Sequence, residues 1–175
     1  GPRLTRSVMP CAQAGAAAMV GFLVWNFPRA VTFMGDSGSL PVGAVLSALA
    51  LRVALFDLFS GVAPLLVLSP FLYDMIYTLL RRMRLGENIW VAHRSHLYQR
   101  LLVATGWSHA QLLALHAPLY VLAGAAGWVY AGAAGVRLLA GSGAIACVVG
   151  ALMCYTVFVW RCEASARRRT NGGRA

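Results

Sequence analysis

Five long apolar runs divide the chain, and more polar stretches of unequal length, several of them with arginine or glycine, separate them. The runs extend near residues 11 to 28, 40 to 58, 61 to 80, 109 to 131 and 138 to 160. Each is roughly 17 to 25 residues long, which is the helical length needed to cross about 30 Å of hydrocarbon. The pattern predicts an all-α fold, a polytopic transmembrane helical bundle with about five spans, in a single membrane domain over residues 1–175.

Composition agrees with a membrane setting, because 59% of the residues are hydrophobic and only 11% are charged. All fifteen basic residues are arginine, and the formal net charge is +10. In a soluble domain such an excess would suggest nucleic acid, but arginines placed between long apolar runs are typical signals of membrane topology. We therefore expect a lipid bilayer, and no nucleic acid, as a partner.

The arginines are shared unevenly between the two sides of the membrane once five spans are drawn. Only a few lie on one side, namely Arg3, Arg6, Arg52 and Arg137. By the positive-inside rule, the N-terminus is predicted outside and the C-terminus inside. Two long inner loops then hold Asp36 and His93, and residues 161–175 form a basic cytoplasmic tail on anionic lipid.

The first inner loop places Asp36 between Gly35 and Gly38, beside the hydroxyls of Ser37 and Ser39. Glycines let the backbone turn sharply and present amide groups to an oxygen-rich ligand. Mg²⁺ prefers carboxylate oxygen and commonly bridges a protein to a substrate phosphate. One aspartate cannot complete such a site, and capping of the next helix explains Asp36 equally well. From spacing alone, both interpretations stay open.

The second inner loop, residues 81–109, is basic and carries histidines. His93 and His96 are three residues apart around Arg94. Arginine pairs with phosphate oxygens through two-point contacts, and imidazole donates to phosphate or carries a proton. These three residues favour a phosphate site, whereas a zinc pair would need further ligands nearby.

Other polar residues at the membrane have structural interpretations. The arginines that follow the third run are expected to hold the headgroup boundary; they are Arg81, Arg82 and Arg84. Asp74 lies inside that run and needs a partner, either Arg81 or a polar group on another helix. Asn26 precedes Phe27-Pro28 and is expected to hold the unwound end of the first helix, with contact to a substrate as the second interpretation.

Two sequence runs resemble a known family. The run GFLVWNFPRAVTFMGDSGS, residues 21–39, resembles the Asp-containing motif of the polyprenyl-phosphate N-acetylhexosamine-1-phosphate transferases. The run YDMIYTLLRRMRLGENIWVAHRSHLYQRL, residues 73–101, resembles their later cytoplasmic loop. The likeness is greatest to the O-antigen-initiating branch of glycosyltransferase family 4, which is related to phospho-N-acetylmuramoyl-pentapeptide transferase. The resemblance extends from the first span through the fifth.

The resemblance implies a Mg²⁺-dependent transfer of a sugar 1-phosphate from a UDP-linked N-acetylated sugar to undecaprenyl phosphate, with release of UMP. Such enzymes act at the cytoplasmic face of the bacterial inner membrane and start the synthesis of cell-envelope polysaccharide. Homodimers are frequent among the relatives. Carried over to this sequence, the metal ligand is Asp36, the catalytic residues are Asp36, His93 and His96, and the substrate-binding residues are Arg94, Ser37, Gly35 and Asn26.

The sequence also departs from the family pattern. Arg29 replaces a second proline, and Tyr98 and Gln99 replace adjacent histidines. Family members carry an aspartate pair in an early cytoplasmic loop and an Asn/Asp-rich motif in a middle one, and neither occurs in these residues. We therefore expect the C-terminal part of a longer transferase, inactive alone. Two alternatives stay open: a non-catalytic or split protein that binds a lipid phosphate, and a transporter-like bundle in which Asp36 and Asp74 serve ion movement.

Overall fold

The computed structural model describes residues 2–29, 31–56, 61–91, 95–132 and 137–172. Within these ranges the chain is helical and has no strand. The helices are α1 (Pro2–Asn26), α2 (Gly35–Phe56), α3 (Val62–Arg84), α4 (Leu97–Thr105), α5 (His109–Gly132) and α6 (Arg137–Gly172). All except α4 are long and apolar enough to cross a membrane. The predicted all-helical fold with five spans is confirmed, and the predicted orientation of the termini stays a prediction.

The chain divides into two compact units, an N-terminal unit, Gly1–Leu65, and a C-terminal unit, Leu66–Ala175. Since each unit is compact by itself, the single membrane domain over residues 1–175 stays a prediction. In the N-terminal unit α1 and α2 contact each other. None of the described residues in the spanning windows of these two helices is buried. Helices that are apolar on all sides and bury nothing are suited to lipid or to further helices.

The C-terminal unit has a packed core, in which α6 contacts both α4 and α5. Leu97 and Leu101, one helical turn apart on α4, pack with Val159 of α6, and all three side chains are fully buried. A second cluster contains Ala126 of α5 with Val148 and Leu152 of α6. A small residue at this contact lets two helices approach closely, as is common in membrane bundles.

Two hydrogen bonds join α3 to α6. The hydroxyls of Tyr73 and Thr156 are 2.7 Å apart, and the indole Nε1 of Trp160 donates to the Tyr77 hydroxyl at 2.8 Å. Tyrosine and tryptophan commonly pair their polar ends in this way. The bonds therefore fix the rotation of the C-terminal half of α3 relative to α6.

A short turn separates α4 from α5. Gly106 ends α4 in the left-handed region at φ 68°, and its N–H donates to the Leu102 carbonyl at 2.8 Å. Ser108 and Gln111 then cap α5 reciprocally, since Gln111 Oε1 accepts the Ser108 N–H at 2.9 Å and Ser108 Oγ accepts the Gln111 N–H at 3.3 Å. The turn therefore fixes where α4 ends and where α5 begins.

Helix α6 continues through the arginine-rich segment to Gly172. The first part of the predicted basic tail, residues 161–172, is therefore a continuation of the last span as helix. Glu163 lies in this continuation and, as described below, contacts α4. Association of the arginines with anionic lipid stays a prediction.

Candidate functional site

The Asp36 turn joins the end of α1 to the start of α2. Gly35 has φ +59°, a conformation that glycine adopts without the cost that a Cβ would bring. Asp36 follows in the first turn of α2, where the partial positive charge of the helix end favours a carboxylate. Asp36, Ser37 and the backbone of Gly35 are all exposed. The turn therefore presents one carboxylate and one hydroxyl to the surroundings of the N-terminal unit.

Asn26 holds the backbone that leads into this turn. Its Oδ1 accepts the N–H groups of Val31 and Thr32 at 3.2 and 3.1 Å, and its Nδ2 donates to the Phe22 carbonyl at 3.0 Å. Both ends of the amide are therefore used by the chain, as the structural interpretation of this residue requires. Binding of a substrate by Asn26 stays a prediction.

Asp74 contacts the start of α4 in the C-terminal unit. Its Oδ1 accepts the backbone N–H of Leu97 at 2.8 Å and the Thr78 hydroxyl at 3.2 Å, and it lies 3.7 Å from Nδ1 of His96. The alternative pairing with Arg81 is wrong, because Arg81 instead lies 3.9 Å from Glu87 Oε1. Asp74 thus satisfies a helix-start N–H that has no partner within α4.

Arg82 organises the first part of the second loop. Its Nε donates to Glu87 Oε2 at 3.1 Å, while its terminal nitrogens donate to the carbonyls of Val91, at 3.4 Å, and Asn88. Only 5% of the residue is exposed. The loop therefore uses the donors of Arg82 and covers its side chain, and its predicted place at the headgroup boundary stays a prediction.

A second buried cation fastens α4 to α6. The guanidinium of Arg100 donates to both carboxylate oxygens of Glu163, at 2.6 and 2.5 Å. Partial burial disfavours the charged form, but the hydrogen bonds and charges of Glu163 and Tyr77 prevail and raise the pKa of Arg100 above its ordinary value. The two-point geometry is the one in which arginine binds carboxylate best.

A cavity of about 430 Å³ lies within the C-terminal unit, lined by α3, the start of α4, α5 and α6. Its walls are largely aliphatic and aromatic, but Asp74, His96, His109 and His116 also line it. Nδ1 of His116 lies 2.9 Å from the Leu112 carbonyl, so in the neutral ring the proton is on Nδ1. The arrangement combines an apolar volume with imidazoles and a carboxylate, which suits an amphipathic guest.

Sequence reasoning missed His109 and His116 as cavity residues. A usable signal was present, because residues seven apart on a helix lie on the same face. The ring of His116 also packs edge-on against Tyr155 of α6, with centroids 5.0 Å apart. The pairing of α5 with α6 brings these groups together, and periodicity alone does not reveal it.

The predicted site residues fall into separate groups. Gly35, Asp36, Ser37 and Asn26 lie in the N-terminal unit, and His96 lies in the C-terminal unit. His93 and Arg94 lie outside the described residues. Within the described part of the chain, no three His, Cys, Asp or Glu side chains are grouped to hold a metal ion. Asp36 alone does not fit a complete Mg²⁺ site, which needs about six oxygen ligands.

The five helices of spanning length define a multi-pass membrane protein. Its Asp36 turn is exposed at the start of one of these helices. Residues 4–54, which include that turn, match Glycosyl transferase family 4. The predicted resemblance to this family is thereby confirmed, and the matched residues contain the first of the two sequence runs. The matched part is smaller than the predicted extent from the first through the fifth span.

Proteins with similar sequences are named as polyprenyl-phosphate sugar-phosphate transferases or as a related phosphotransferase. The chain is 38% identical over 96 residues to a probable undecaprenyl-phosphate N-acetylglucosaminyl 1-phosphate transferase of Bacillus subtilis, covering 53% of this chain and 26% of that protein. It is 34% identical over 113 residues to the decaprenyl-phosphate N-acetylglucosaminephosphotransferase of Mycobacterium leprae, covering 57% and 28%. It is 34% identical over 98 residues to the phospho-N-acetylmuramoyl-pentapeptide-transferase of Clavibacter michiganensis, covering 55% and 25%.

The chain therefore spans 25 to 28% of the length of these relatives. No solved structure is significantly similar to it.

Proposed function

We propose that this chain forms part of a membrane enzyme that transfers an N-acetylated sugar 1-phosphate from a UDP-sugar to undecaprenyl phosphate, releasing UMP. The observation that carries the proposal is the Asp36 turn, which lies within the residues matched to Glycosyl transferase family 4. The names of the similar proteins, which are polyprenyl-phosphate N-acetylglucosamine phosphate transferases, support the same reaction.

In the proposed reaction an oxygen of the lipid phosphate attacks the β-phosphorus of the UDP-sugar. The bond from that phosphorus to the bridging oxygen breaks, and UMP leaves with this oxygen. The sugar 1-phosphate is then joined to the lipid through a new diphosphate link. Phosphoryl transfer of this kind depends mainly on positioning and on neutralising phosphate charge. The residues proposed for these tasks are Asp36, Ser37, His93, Arg94 and His96.

Mg²⁺ is part of the proposal, with Asp36 as one of its ligands. The bound ion would neutralise phosphate charge. The remaining ligands would come from protein outside this chain, water or substrate, since a single carboxylate does not complete a site. The exposed position of Asp36 at a helix start is compatible with such shared coordination.

The proposed setting is the cytoplasmic face of the bacterial inner membrane, with the arginine-rich loops and tail inside. There a soluble nucleotide sugar and a lipid phosphate can meet at one surface. The proposed product starts a cell-envelope polysaccharide of the O-antigen type, and the proposed assembly is a homodimer. The arginine asymmetry supports the orientation.

The decisive experiment measures UMP release in membrane vesicles that contain the full-length protein of which this chain is part, supplied with Mg²⁺, UDP-N-acetylglucosamine and undecaprenyl phosphate. We expect Asp36→Asn to reduce the rate by about 100-fold or more, because a transition-state charge contact is lost. The control is Gly43→Ala on the same helix, where an added Cβ meets no atom within 4 Å.

Other outcomes of this experiment would overturn the proposal. Undecaprenyl phosphate binding without turnover would favour a non-catalytic lipid-phosphate-binding protein, and ion flux that depends on Asp36 would favour a transporter. UMP release by residues 1–175 alone would contradict the view that the chain is an incomplete part. An Asp36→Asn protein with the unaltered rate would remove Asp36 from the mechanism.

A further inference from the structure

The polar end of the cavity has one carboxylate that contacts two consecutive residues of the second loop. Asp74 Oδ1 accepts the Leu97 N–H at 2.8 Å and lies 3.7 Å from the His96 ring nitrogen Nδ1. We propose that Asp74 is a positioning residue, which sets the orientation of the His96 ring for the transfer reaction. This inference rests on the proposed function and adds to it a residue outside the predicted site.

The carboxylate is itself held in place. Thr78, one helical turn further along α3 and only 1% exposed, donates its hydroxyl to the same oxygen at 3.2 Å. The side chain of Asp74 is 17% exposed and that of His96 is 20% exposed. A mostly covered carboxylate with two donors keeps one rotamer and a strong local field. The His96 ring therefore lies beside a fixed negative charge.

Helix α4 does not depend on Asp74 alone. Leu97 and Leu101 are fully buried, the Arg100 guanidinium is bound by Glu163 of α6, and Gly106 ends the helix with its own hydrogen bond. These contacts keep α4 in place when the charge of Asp74 is removed. If removal of the Asp74 charge slows the reaction, the effect is therefore expected to act through His96.

A carboxylate beside one ring nitrogen is a familiar way to orient an imidazole. The orientation of the ring decides which of its nitrogens can face a phosphate. Asp74→Asn separates this effect from backbone capping, because the asparagine oxygen still accepts the Leu97 N–H while the charge beside Nδ1 is lost. The leucine variant Asp74→Leu removes both.

The test compares kcat and KM for the UDP-sugar in the full-length protein. We expect Asp74→Asn to lower kcat/KM by about 10- to 100-fold, by analogy with the loss seen when a carboxylate that orients a metal-bound histidine is removed. The matched control is Glu87→Gln, the same carboxylate-to-amide change at a side chain that is 41% exposed and keeps an oxygen to accept from Arg82, with an expected change below about threefold. In a His96→Gln background, Asp74→Asn is expected to change kcat/KM less than about twofold, because coupled residues are not additive.

Two results would overturn the inference while the proposed function stands: an Asp74→Asn enzyme within twofold of the wild type, or an undiminished loss in the His96→Gln background. A wild-type protein without UMP release would overturn both. Hydrogen exchange of the Leu97 amide is independent of activity, and protection is expected in the wild type and Asp74→Asn but not in Asp74→Leu. Equal exchange in all three would contradict the Asp74 contact itself.

Discussion

The N-terminal and C-terminal units hold their polar groups in different ways. In the N-terminal unit, the contacts around the Asp36 turn are local, since Asn26 bonds to residues at most six positions away. In the C-terminal unit, Asp74 contacts an amide 23 residues along the chain, and Arg100 a carboxylate 63 residues along. The Asp36 turn is therefore specified by residues close together in sequence. The contacts of Asp74 and Arg100 form only when the helices of the C-terminal unit pack.

Burial follows the same division. The spanning windows of α1 and α2 have 0% of their described residues buried, whereas those of α3, α5 and α6 have 22, 17 and 28%. Because lipid is as apolar as a leucine side chain, exposed apolar residues in a membrane carry little cost. The comparison predicts that packing substitutions affect the C-terminal unit most and that backbone substitutions affect the N-terminal unit most.

The largest expected effect is loss of core packing in the C-terminal unit. Leu101→Ala removes a side chain with 0% exposure and is expected to lower stability by about 2–5 kcal/mol. Thermal unfolding in detergent, followed by tryptophan fluorescence, measures the change. Val103→Ala on the same helix, at 87% exposure, is the control and should change stability by no more than about 0.5 kcal/mol. Equal effects of the two would refute the packed position of α4.

Next in size is the loop organised by Arg82. Arg82→Met leaves Glu87 and two loop carbonyls without their donor, and a cost of about 1–3 kcal/mol is expected. The measurement is proteolysis of the 85–91 segment, which should become faster. Arg84→Met, at an exposed position of the same helix, is the control. Unaltered proteolysis in Arg82→Met would show that the loop does not need this cation.

A backbone substitution tests the N-terminal unit. Gly35→Ala places a Cβ on a residue with φ +59° and should cost about 1–2 kcal/mol. Gly43→Ala, inside α2 with open space around the added atom, should be neutral or stabilise by up to about 1 kcal/mol. Unfolding midpoints of the two variants should therefore shift in opposite directions or differ clearly. Coincident midpoints would contradict the left-handed turn before Asp36.

The smallest expected effect is at Asn26. Asn26→Ala leaves the amides of Val31 and Thr32 without their side-chain acceptor, and about 0.5–1.5 kcal/mol is expected. Hydrogen exchange of these two amides should accelerate, while Asn26→Asp, which keeps an accepting oxygen, should retain most of the protection. Slow exchange in the alanine variant would mean that other contacts hold the turn.

Much of the fold was predictable from sequence, because five apolar runs of spanning length leave few alternatives to a helical bundle. Helix α4 was not predicted, since its nine residues are too few for a span and its position depends on Leu97 and Leu101 reaching a shared core. Its surroundings did carry signals, namely Gly106 and the Ser108–Gln111 capping pair.

The polar contacts divide in the same manner. The Gly35–Asp36 turn could be anticipated, because glycine determines the backbone conformation locally. The partner of Asp74 could not be chosen, because Arg81 and a polar group on another helix were both possible partners and only tertiary packing decides between them. The burial of Arg82 could not be predicted for a related reason. Its acceptors include backbone carbonyls of a loop, and backbone carbonyls leave no signal in the sequence.

Helix α6 is longer than the hydrocarbon layer of a membrane is thick, and this length restricts how the helix can lie in a bilayer. Its 36 residues extend about 54 Å at 1.5 Å per residue, against about 30 Å of hydrocarbon. A helix of this length must tilt or extend beyond the hydrocarbon, by an amount that depends on the thickness of the bilayer. Because Glu163 of α6 binds Arg100, α4 is attached to this helix and is expected to move with it when it tilts.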